Sequence, residues 1–312
     1  MAGTVVIGGG SGFIGTALSN LLRVSGYDVI IVSRVPGTFS MTWNDLDQNG
    51  LPKNTTAVVS LAGQNILDMK RKWNTGFQQT VRASRINTTR SLARAIERAE
   101  IKPSVFVSTS GVGYYPPHPS KEYTEDSEGG KGDYFAELCT EWEAAAKLPA
   151  GSEVRQVIIR SAGVVLGRKG GMIAQLYFPF FFGMGGPVGS GQQYLPWIHL
   201  HDIARLFLYA IENKPVEGVL NGVSPNLVTS KEFAKAFGRS LWRPAFIPLP
   251  EFACNIMLGP ERARMLTEGQ KVIPKRTLES GFQYKYPDIG SACKEFSPLV
   301  YLKDMEFDHI SR

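Results

Sequence analysis

Apolar residues alternate along the first two thirds of the chain between short continuous runs and longer segments with helical spacing. Residues 4–7 form a β-rich run, and after a group of glycines the apolar positions of residues 13–22 recur every three or four residues. Residues 28–32 form a second short run. Strand, helix and strand within about 30 residues make a βαβ unit, whose crossover places the two strands parallel.

The same alternation continues and predicts a doubly wound parallel sheet, the Rossmann type of α/β fold. Further strands are predicted at residues 57–61, 104–108 and 156–159, and helices at residues 75–99, 134–147 and 202–212.

The pattern changes after Gly167 to sequence rich in glycine, proline and aromatic residues, and after Asn221 to short segments interrupted by prolines. Such segments are too irregular for βαβ units. We therefore predict a Rossmann domain of residues 1–167 and 199–222 and a small cap domain of residues 168–198 and 223–300. Residues 301–312 are predicted to be a peripheral tail.

Composition excludes several classes of protein. Hydrophobic residues make up 43% of the 312 residues and charged residues 20%, which are values of a folded globular chain. The longest apolar run, around residues 176–182, is interrupted by Pro179 and is far shorter than a membrane span. Strand-like sequence from Thr4 leaves no room for a leader, so we expect a cytoplasmic protein without a membrane partner.

Charge and cysteine content limit the classes of ligand that we expect the protein to bind. The formal charge of +6 comes from basic residues scattered among acidic neighbours, which favours a small anionic ligand over nucleic acid. Cys139, Cys254 and Cys293 are far apart in the sequence and odd in number. They predict buried core residues and neither a disulfide framework nor a metal site.

A glycine-rich loop joins the first strand to the first helix. It carries G-x-x-G-x-x-G at Gly9, Gly12 and Gly15, placed between a strand and a helix in a βαβ unit. Glycines let the backbone approach a pyrophosphate, whose charge is stabilised at the helix N-terminus by N–H groups such as those of Phe13 and Ile14. The loop therefore predicts a dinucleotide site; a ligand-free turn is the alternative.

The second strand ends in Ser33 and Arg34, where NAD-binding proteins usually have a carboxylate for the ribose hydroxyls. A hydroxyl and a guanidinium suit a 2′-phosphate instead. The pair predicts NADP(H) in preference to NAD; a solvated surface arginine is the alternative.

Two further features are candidates for the cofactor site. Leu61, Ala62 and Gly63 end a strand with small residues and permit close approach of the adenosine side. Arg85 lies close to the apolar stripe of the next helix and is therefore predicted to point inward. It needs an anionic or carbonyl partner, either protein groups or a cofactor phosphate.

These residues resemble the short-chain dehydrogenase/reductase superfamily, and most closely its atypical epimerase family proteins of the sugar-nucleotide-epimerase-like group 39U. The resemblance also rests on Ala83-Ser84-Arg85, Trp142-Glu143-Ala144-Ala145, the glycine-rich residues 185–191, Trp197-Ile198-His199 and residues 269–274. It covers the chain to about residue 298. It implies a Rossmann domain with a small C-terminal domain and NADP(H) at the carboxyl ends of the strands.

The same resemblance implies a catalytic Ser or Thr with a Tyr-x-x-x-Lys pair, in which Tyr transfers a proton and Lys lowers the Tyr pKa. Ser110 falls at the first position and Tyr134 at the second, but Leu138 stands where the lysine should be. A shift of one residue gives Phe135 and Cys139, again without lysine. Tyr134 as a core or rim aromatic is an equal interpretation, and Tyr114 and Tyr115 are alternative hydroxyls.

Other positions follow from the resemblance. Val165, in the segment 160–167, is the expected contact for the nicotinamide end. His199 either orients the cap or forms a structural pair at a helix start with Asp202 as the N-cap. Trp197 and residues 180–182 are interpreted as core aromatics.

Two hypotheses about function follow. The first is an NADP(H)-binding atypical oxidoreductase or epimerase-like enzyme acting on a small polar substrate, such as one resembling a sugar nucleotide. The second is a non-catalytic NADP(H)-binding protein that reports the state of the cofactor to a protein partner. A homodimer is compatible with both.

Overall fold

The computed structural model describes residues 3–168, 170–298 and 300, so the predicted tail lies outside the described residues. Its strands are β1 (Thr4–Gly8), β2 (Asp28–Ser33), β3 (Ser40–Thr42), β4 (Thr55–Ser60), β5 (Val105–Gly111), β6 (Glu122–Tyr123), β7 (Arg155–Ser161), β8 (Val164–Leu166), β9 (Trp197–His199), β10 (Gly218–Gly222) and β11 (Lys271–Val272).

The helices pack on both sides of the sheet and in the C-terminal part of the chain. They are α1 (Phe13–Val24), α2 (Trp43–Asn49), α3 (Thr75–Arg98), α4 (Tyr134–Ala145), α5 (Gly171–Phe181), α6 (Leu200–Glu212), α7 (Ser230–Ser240), α8 (Glu251–Leu258), α9 (Pro260–Thr267), α10 (Lys275–Glu279) and α11 (Ile289–Lys294). Every described helix is too short or too polar to traverse a bilayer.

The main sheet has the strand order β10-β7-β5-β4-β1-β2-β3, and neighbouring strands are parallel throughout. The chain begins in the middle, winds outward to β3, returns to β4 beside β1 and then winds to the other edge. The order of strands therefore reverses between β1 and β4, the point where dinucleotides bind in such sheets. The predicted doubly wound Rossmann-type fold is confirmed.

The strand cores explain why the apolar runs are continuous. Val5 and Ile7 belong to the apolar core on one face of the sheet, while Val6 belongs to the core on the other, and all three are fully buried. Helices cover both faces of a parallel sheet, so successive side chains are buried whichever way they point.

Three elements of the sheet region were missed by the sequence prediction. β3 has three half-buried residues, and α2 has seven residues started by a capping box between Thr42 and Asp45. β10 begins and ends on glycine. These elements lack the long apolar runs that predicted the other strands, and neighbouring strands and helices stabilise them instead.

A second apolar cluster lies beside the sheet and is built largely from the predicted cap residues. Trp197 and Phe237 are fully buried within it, and Phe180 packs against Phe237 at 4.9 Å between ring centroids. β8 and β9 form a small parallel sheet at its edge. The exact domain boundaries stay a prediction.

Two buried carboxylates join the C-terminal segment to the main sheet. Glu125, 5% exposed, accepts hydrogen bonds from the backbone N–H groups of Asn221 at 3.0 Å and Arg276 at 3.1 Å. Asp202, fully buried, accepts from the N–H groups of Lys285 and Tyr286, both at 2.8 Å.

The predicted role of Asp202 as N-cap of its helix is wrong. The N-cap of α6 is His199, whose Nδ1 accepts from the N–H of His201 at 3.2 Å. Asp202 instead lies inside the first turn, where its carboxylate is turned toward residues 285 and 286. The sequence pattern favoured Asp as the cap because Asp is the commoner N-cap residue.

Candidate cofactor and catalytic site

The glycine loop brings the ends of β1 and β4 together. Gly9 adopts φ +83°, and a Cβ there would lie 2.7 Å from the backbone N and Cα of Ala62. A Cβ on Gly15 would lie 2.3 Å from the carbonyl oxygen of Gly9. Glycine is therefore required at these two positions by the backbone itself, before any ligand is considered.

Gly12 has a different reason to be glycine. It is the N-cap of α1 and supplies no side-chain hydrogen bond, and a Cβ there would contact only the Gly9 oxygen, at 3.2 Å. The position is exposed. The first-turn N–H groups of α1, which have no partner within the helix, thus face a surface with no side chain over it, which is the geometry of an anion site.

Arg34 lies beside this loop. Gly9 donates to the carbonyl of Val32 at 3.1 Å, which places the end of β2 next to the glycines. Arg34 is exposed and forms no ion pair or hydrogen bond with the described residues. The Ser33 hydroxyl donates to the carbonyl of Val35 at 2.6 Å and so shapes the turn. A free guanidinium at this edge suits a phosphate on the adenosine ribose.

Arg85 points inward, as predicted, and lies beneath the segment 61–63. Its Nη1 donates to the carbonyls of Gln64 at 2.9 Å and Val81 at 3.1 Å, while its buried Nε has no partner among the described residues. Burial lowers its pKa to about 10. A Cβ on Gly63 would lie 3.1 Å from the guanidinium carbon. Arg85 thus holds the loop after β4 through carbonyl groups, and its contact with a cofactor phosphate stays a prediction.

Phe13 connects the start of α1 to the segment after β8. Its ring lies 2.7 to 2.8 Å from where a Cβ would stand on Gly170 and Gly167. Val165, the predicted contact for the nicotinamide end, is half-buried in β8 and pairs with Ile198 of β9. The structure therefore brings the glycine loop close to the segment that the sequence assigned to the other end of the cofactor.

The rotation of α4 determines which of its residues approach the turn after β5. Cys139 and Phe135 both approach the turn after β5: a Cβ on Gly113 would lie 3.4 Å from Phe135 Cβ and 3.7 Å from Cys139 Sγ. Ser110, 2% exposed, has a hydroxyl oxygen without a hydrogen-bond partner among the described residues. Cys139 therefore lies beside Ser110, and Phe135 lies on the same side of α4, against the turn after β5.

The Cys139 thiol is buried, and burial raises its pKa to about 11 although the neighbouring Ser110 hydroxyl acts in the opposite direction. Ser110 lies close enough for this effect but not in the geometry of a hydrogen bond, because its oxygen stays without a partner. Cys139 is therefore a weakly acidic thiol beside Ser110.

Tyr134 points away from that place, toward α3. Its hydroxyl donates to the carbonyl of Gln78 at 2.8 Å, and its ring meets Trp73 edge to face at 5.3 Å. Burial raises its pKa above the usual value. Leu138, 2% exposed, packs in the same apolar cluster as Phe77. The contacts of Tyr134 are those of a rim aromatic, and its predicted catalytic role has no geometric support.

The structure also gives the contacts of the alternative hydroxyl groups, those of Tyr114 and Tyr115. Tyr115 is fully buried, donates to Asn221 Oδ1 at 2.8 Å and accepts from Arg160 Nη1 at 2.9 Å. Arg160 is bound through two nitrogens by Glu143, at 2.7 and 2.9 Å, and lies 3.5 Å above the Tyr114 ring. Tyr115 is thus committed to a structural network and Tyr114 to stacking.

A set of contacts with α9 was missed by the sequence analysis. Arg262, 2% exposed, donates to the carbonyls of Ile66 at 3.2 Å and Asp68 at 3.1 Å. Glu261 accepts from Gln78 Nε2 at 2.7 Å and from the Trp73 indole. The cap therefore binds the loop that follows residues 61–63. The contacts join residues nearly 200 positions apart, and no local pattern marks them.

Taken together, the reversal of strand order, the glycine loop and the free arginine define a dinucleotide-binding α/β protein of the short-chain dehydrogenase/reductase type. Residues 5–221 match the model of the NAD dependent epimerase/dehydratase family, and residues 249–296 match that of a domain of unknown function, DUF1731.

Known proteins are similar to this chain in sequence and structure over nearly its whole length. It is 52% identical over 292 residues to the epimerase family protein SDR39U1 of Bos taurus, covering 93% of this chain and 98% of the relative. It is 33% identical over 299 residues to epimerase family protein YfhF of Bacillus subtilis, covering 93% and 97%. The crystal structure of the human epimerase family protein SDR39U1 with NADPH matches with a TM-score of 0.92 and 51% identity, covering 94% and 99%.

The chain belongs to the NAD dependent epimerase/dehydratase family and, within it, to the SDR39U1 group of epimerase family proteins. The family resemblance drawn from the sequence is confirmed.

Proposed function

We propose that this protein is an NADP(H)-binding module that acts through a protein partner. The observation that carries the proposal is the Cys139 thiol beside Ser110, with Phe135 of the same helix against the turn after β5. A phenyl ring has no proton to give, and a buried thiol whose pKa is raised to about 11 carries no charge at neutral pH. In this register the tyrosine and lysine that the family resemblance implies for proton transfer would both be replaced, while the glycine loop fits a cofactor.

The residues present fit NADP(H). The open N-terminus of α1 at Gly12 would bind the pyrophosphate, with the N–H groups of Phe13 and Ile14 directed to it. Arg34 would bind the 2′-phosphate, the segment 61–63 would contact the adenosine side, and Val165 the nicotinamide end. The human relative crystallised with NADPH supports this choice of cofactor.

A physical connection runs from this cradle to the cap. The segment 61–63 continues into the loop whose carbonyls, at Ile66 and Asp68, accept from Arg262 of α9. Arg85 fixes the near end of the same loop through the Gln64 carbonyl. A cofactor that contacts residues 61–63 would thereby stabilise the position of α9. A protein partner that contacts the surface at α9 would then bind differently when the cofactor is present.

Calorimetry and turnover measurements test the proposal. We expect NADPH to bind more tightly than NADH and to stabilise the fold by about 2.7 kcal/mol at a hundredfold excess over Kd. Hydrogen exchange should slow in residues 64–74 and in α9 when NADPH is bound. The same concentrations of cofactor, incubated with ketones, aldehydes and sugar nucleotides, should show no steady oxidation of NADPH.

A second candidate function, hydride transfer, is favoured by one observation, the buried Ser110 hydroxyl without a partner. In that reaction the hydride of NADPH would pass to a carbonyl carbon while Ser110 donated a proton to the carbonyl oxygen. Ser110→Ala would then slow turnover by about 10² to 10⁴. Turnover by the wild-type protein with this dependence on Ser110 would support the enzyme and contradict the module.

A further inference from the structure

An exposed apolar face lies on the cap. It consists of Phe178, Phe182, Met184, Trp242, Phe246 and Ile247, whose side chains are 46 to 72% exposed. Two chain segments form it side by side, because Arg243 Nε donates to the Phe181 carbonyl at 2.8 Å and Ile247 donates to the Gly185 carbonyl at 3.2 Å. Six neighbouring large apolar side chains exceed what scattered surface residues account for.

Trp242 is held in this face by an unfavourable backbone conformation. It follows α7 at φ +56°, the left-handed region that normally selects glycine at a helix end. Arg243 donates to the Gly238 carbonyl at 2.9 Å, which closes the helix end around it. A tryptophan here gives up backbone freedom and also exposes most of its indole, so the fold itself gives no reason for the residue.

A row of cations runs along α7 and reaches the border of the face at Arg243, which donates to the Phe181 carbonyl. Lys231, Lys235, Arg239 and Arg243 recur every four residues along α7 and its end, and all four are exposed. They form no ion pair within the described part of the chain. Glu232, the acid nearest them on α7, is bound in the capping box with Thr229. Residues 168–201 and 233–250, which supply the whole face, contain no Asp or Glu.

We propose that this face binds anionic phospholipid bilayers, so that the protein is peripheral to a membrane surface. Aromatic and aliphatic side chains enter the boundary between headgroups and acyl chains, and the bordering cations meet the lipid phosphates. The sequence-based expectation of no membrane partner considered spanning segments, which a protein lying on the surface does not need.

The positive charge of the row of cations favours an anionic bilayer over other binding partners. A second copy docking through the same face would bring two basic rows together, which is unfavourable. The face also offers no exposed acidic side chain that would order a protein partner's cations. A bilayer with anionic headgroups satisfies both the apolar centre and the basic edge.

Vesicle sedimentation tests the proposal with the full chain. Wild-type protein should pellet with vesicles of phosphatidylcholine and phosphatidylserine in a three-to-one ratio, not with phosphatidylcholine alone, and less well as salt rises. Lys235→Ala with Arg239→Ala should weaken binding about 25-fold, because each basic residue contributes about fivefold. Trp242→Gly should weaken it about tenfold.

The tryptophan variant separates folding from binding, because glycine favours the φ of this position and should leave thermal stability equal or higher. Val24→Ser, which replaces an apolar residue at the end of α1 that is more exposed than Trp242, is the matched control and should bind like wild type. Wild-type protein that stays in the supernatant with the anionic vesicles overturns the proposal. So does a Trp242→Gly variant that binds unchanged, or one whose only effect is to dissociate a dimer.

Discussion

The Cys139 thiol lies beside the Ser110 hydroxyl, at the end of β5 and against the turn that follows it. Both groups are buried, and the serine oxygen has no hydrogen-bond partner among the described residues. The serine hydroxyl therefore has a weakly acidic thiol as its neighbour.

A tyrosine at position 135 and a lysine at position 139 should restore the electrostatic coupling between a phenol and a nearby cation. In Phe135→Tyr the new phenol is expected to titrate above its usual pKa of about 10 because of burial. Adding Cys139→Lys should lower that pKa by about one unit or more, since a nearby cation favours the phenolate. Ultraviolet titration of the single and double variants, both with NADPH bound, measures the difference.

Leu138→Lys is the matched comparison. A lysine at either position would be buried, but Leu138 packs among Phe77 and Val81, so its cost of several kcal/mol of unfolding free energy should exceed that at Cys139, which lies beside the Ser110 hydroxyl. Urea unfolding would measure this loss of stability. A stable Leu138→Lys variant, together with no change of phenol pKa from Cys139→Lys, would place the pair one residue earlier on α4.

The glycines of the loop should separate into structural and ligand-binding roles. Gly9→Ala is expected to destabilise the fold by about 2 kcal/mol or more, since alanine is strained at φ +83° and its Cβ would meet the backbone of Ala62. Gly12→Val should leave urea unfolding within about 1 kcal/mol of wild type and abolish NADPH binding. Folded Gly12→Val protein that still binds NADPH at full strength would exclude the loop from the site.

Arg34 should determine the choice between NADPH and NADH. Arg34→Ala is expected to weaken NADPH binding by about 1.5 to 3 kcal/mol, the contribution of a charge-assisted contact, and to leave NADH binding unchanged. Titration calorimetry with both cofactors measures this. The adjacent Ser33→Ala is a useful control, because its hydroxyl already donates to the Val35 carbonyl. Equal losses for both cofactors in Arg34→Ala would contradict a 2′-phosphate contact.

Glu295 should make stability depend on pH in acid. His199 Nε2 lies 3.2 Å from Glu295 Oε2, and this contact holds the pKa of the Glu295 carboxyl below its usual range. A lowered carboxyl pKa stabilises the fold above the unfolded value, near 4.3, and the contribution is lost as pH falls through the folded value. Because the side chain is partly exposed, the effect should be below about 1 kcal/mol.

Urea unfolding of wild type and Glu295→Gln at about pH 6 and about pH 3 isolates this contribution from that of other carboxylates. Wild type should be the more stable of the two at the higher pH, and the difference should shrink at the lower. A difference that grows in acid would show that the contact with His199 does not favour the charged carboxylate.

The strands buried on both faces could be predicted because they require runs such as Val5-Val6-Ile7, and the glycine loop could be predicted because its spacing is dictated by the backbone. The choice between Tyr134 and Phe135 could not. Both are aromatic neighbours on one helix, and one residue is a rotation of about 100°. Only the packing of α4 on β5 and α3 decides which of them lies against the turn after β5. The contact of Arg262 with Ile66 was equally hidden, since it depends on tertiary structure alone.

The carboxylates of Glu125 and Asp202 limit where this chain can be cut into independently folding parts. Each is buried in the part of the chain before residue 222, yet each is bound by backbone N–H groups that come after residue 275. A fragment ending near residue 222 would leave both charges without those donors. The C-terminal segment is thus no detachable accessory, and the two parts of the chain should fold as one unit.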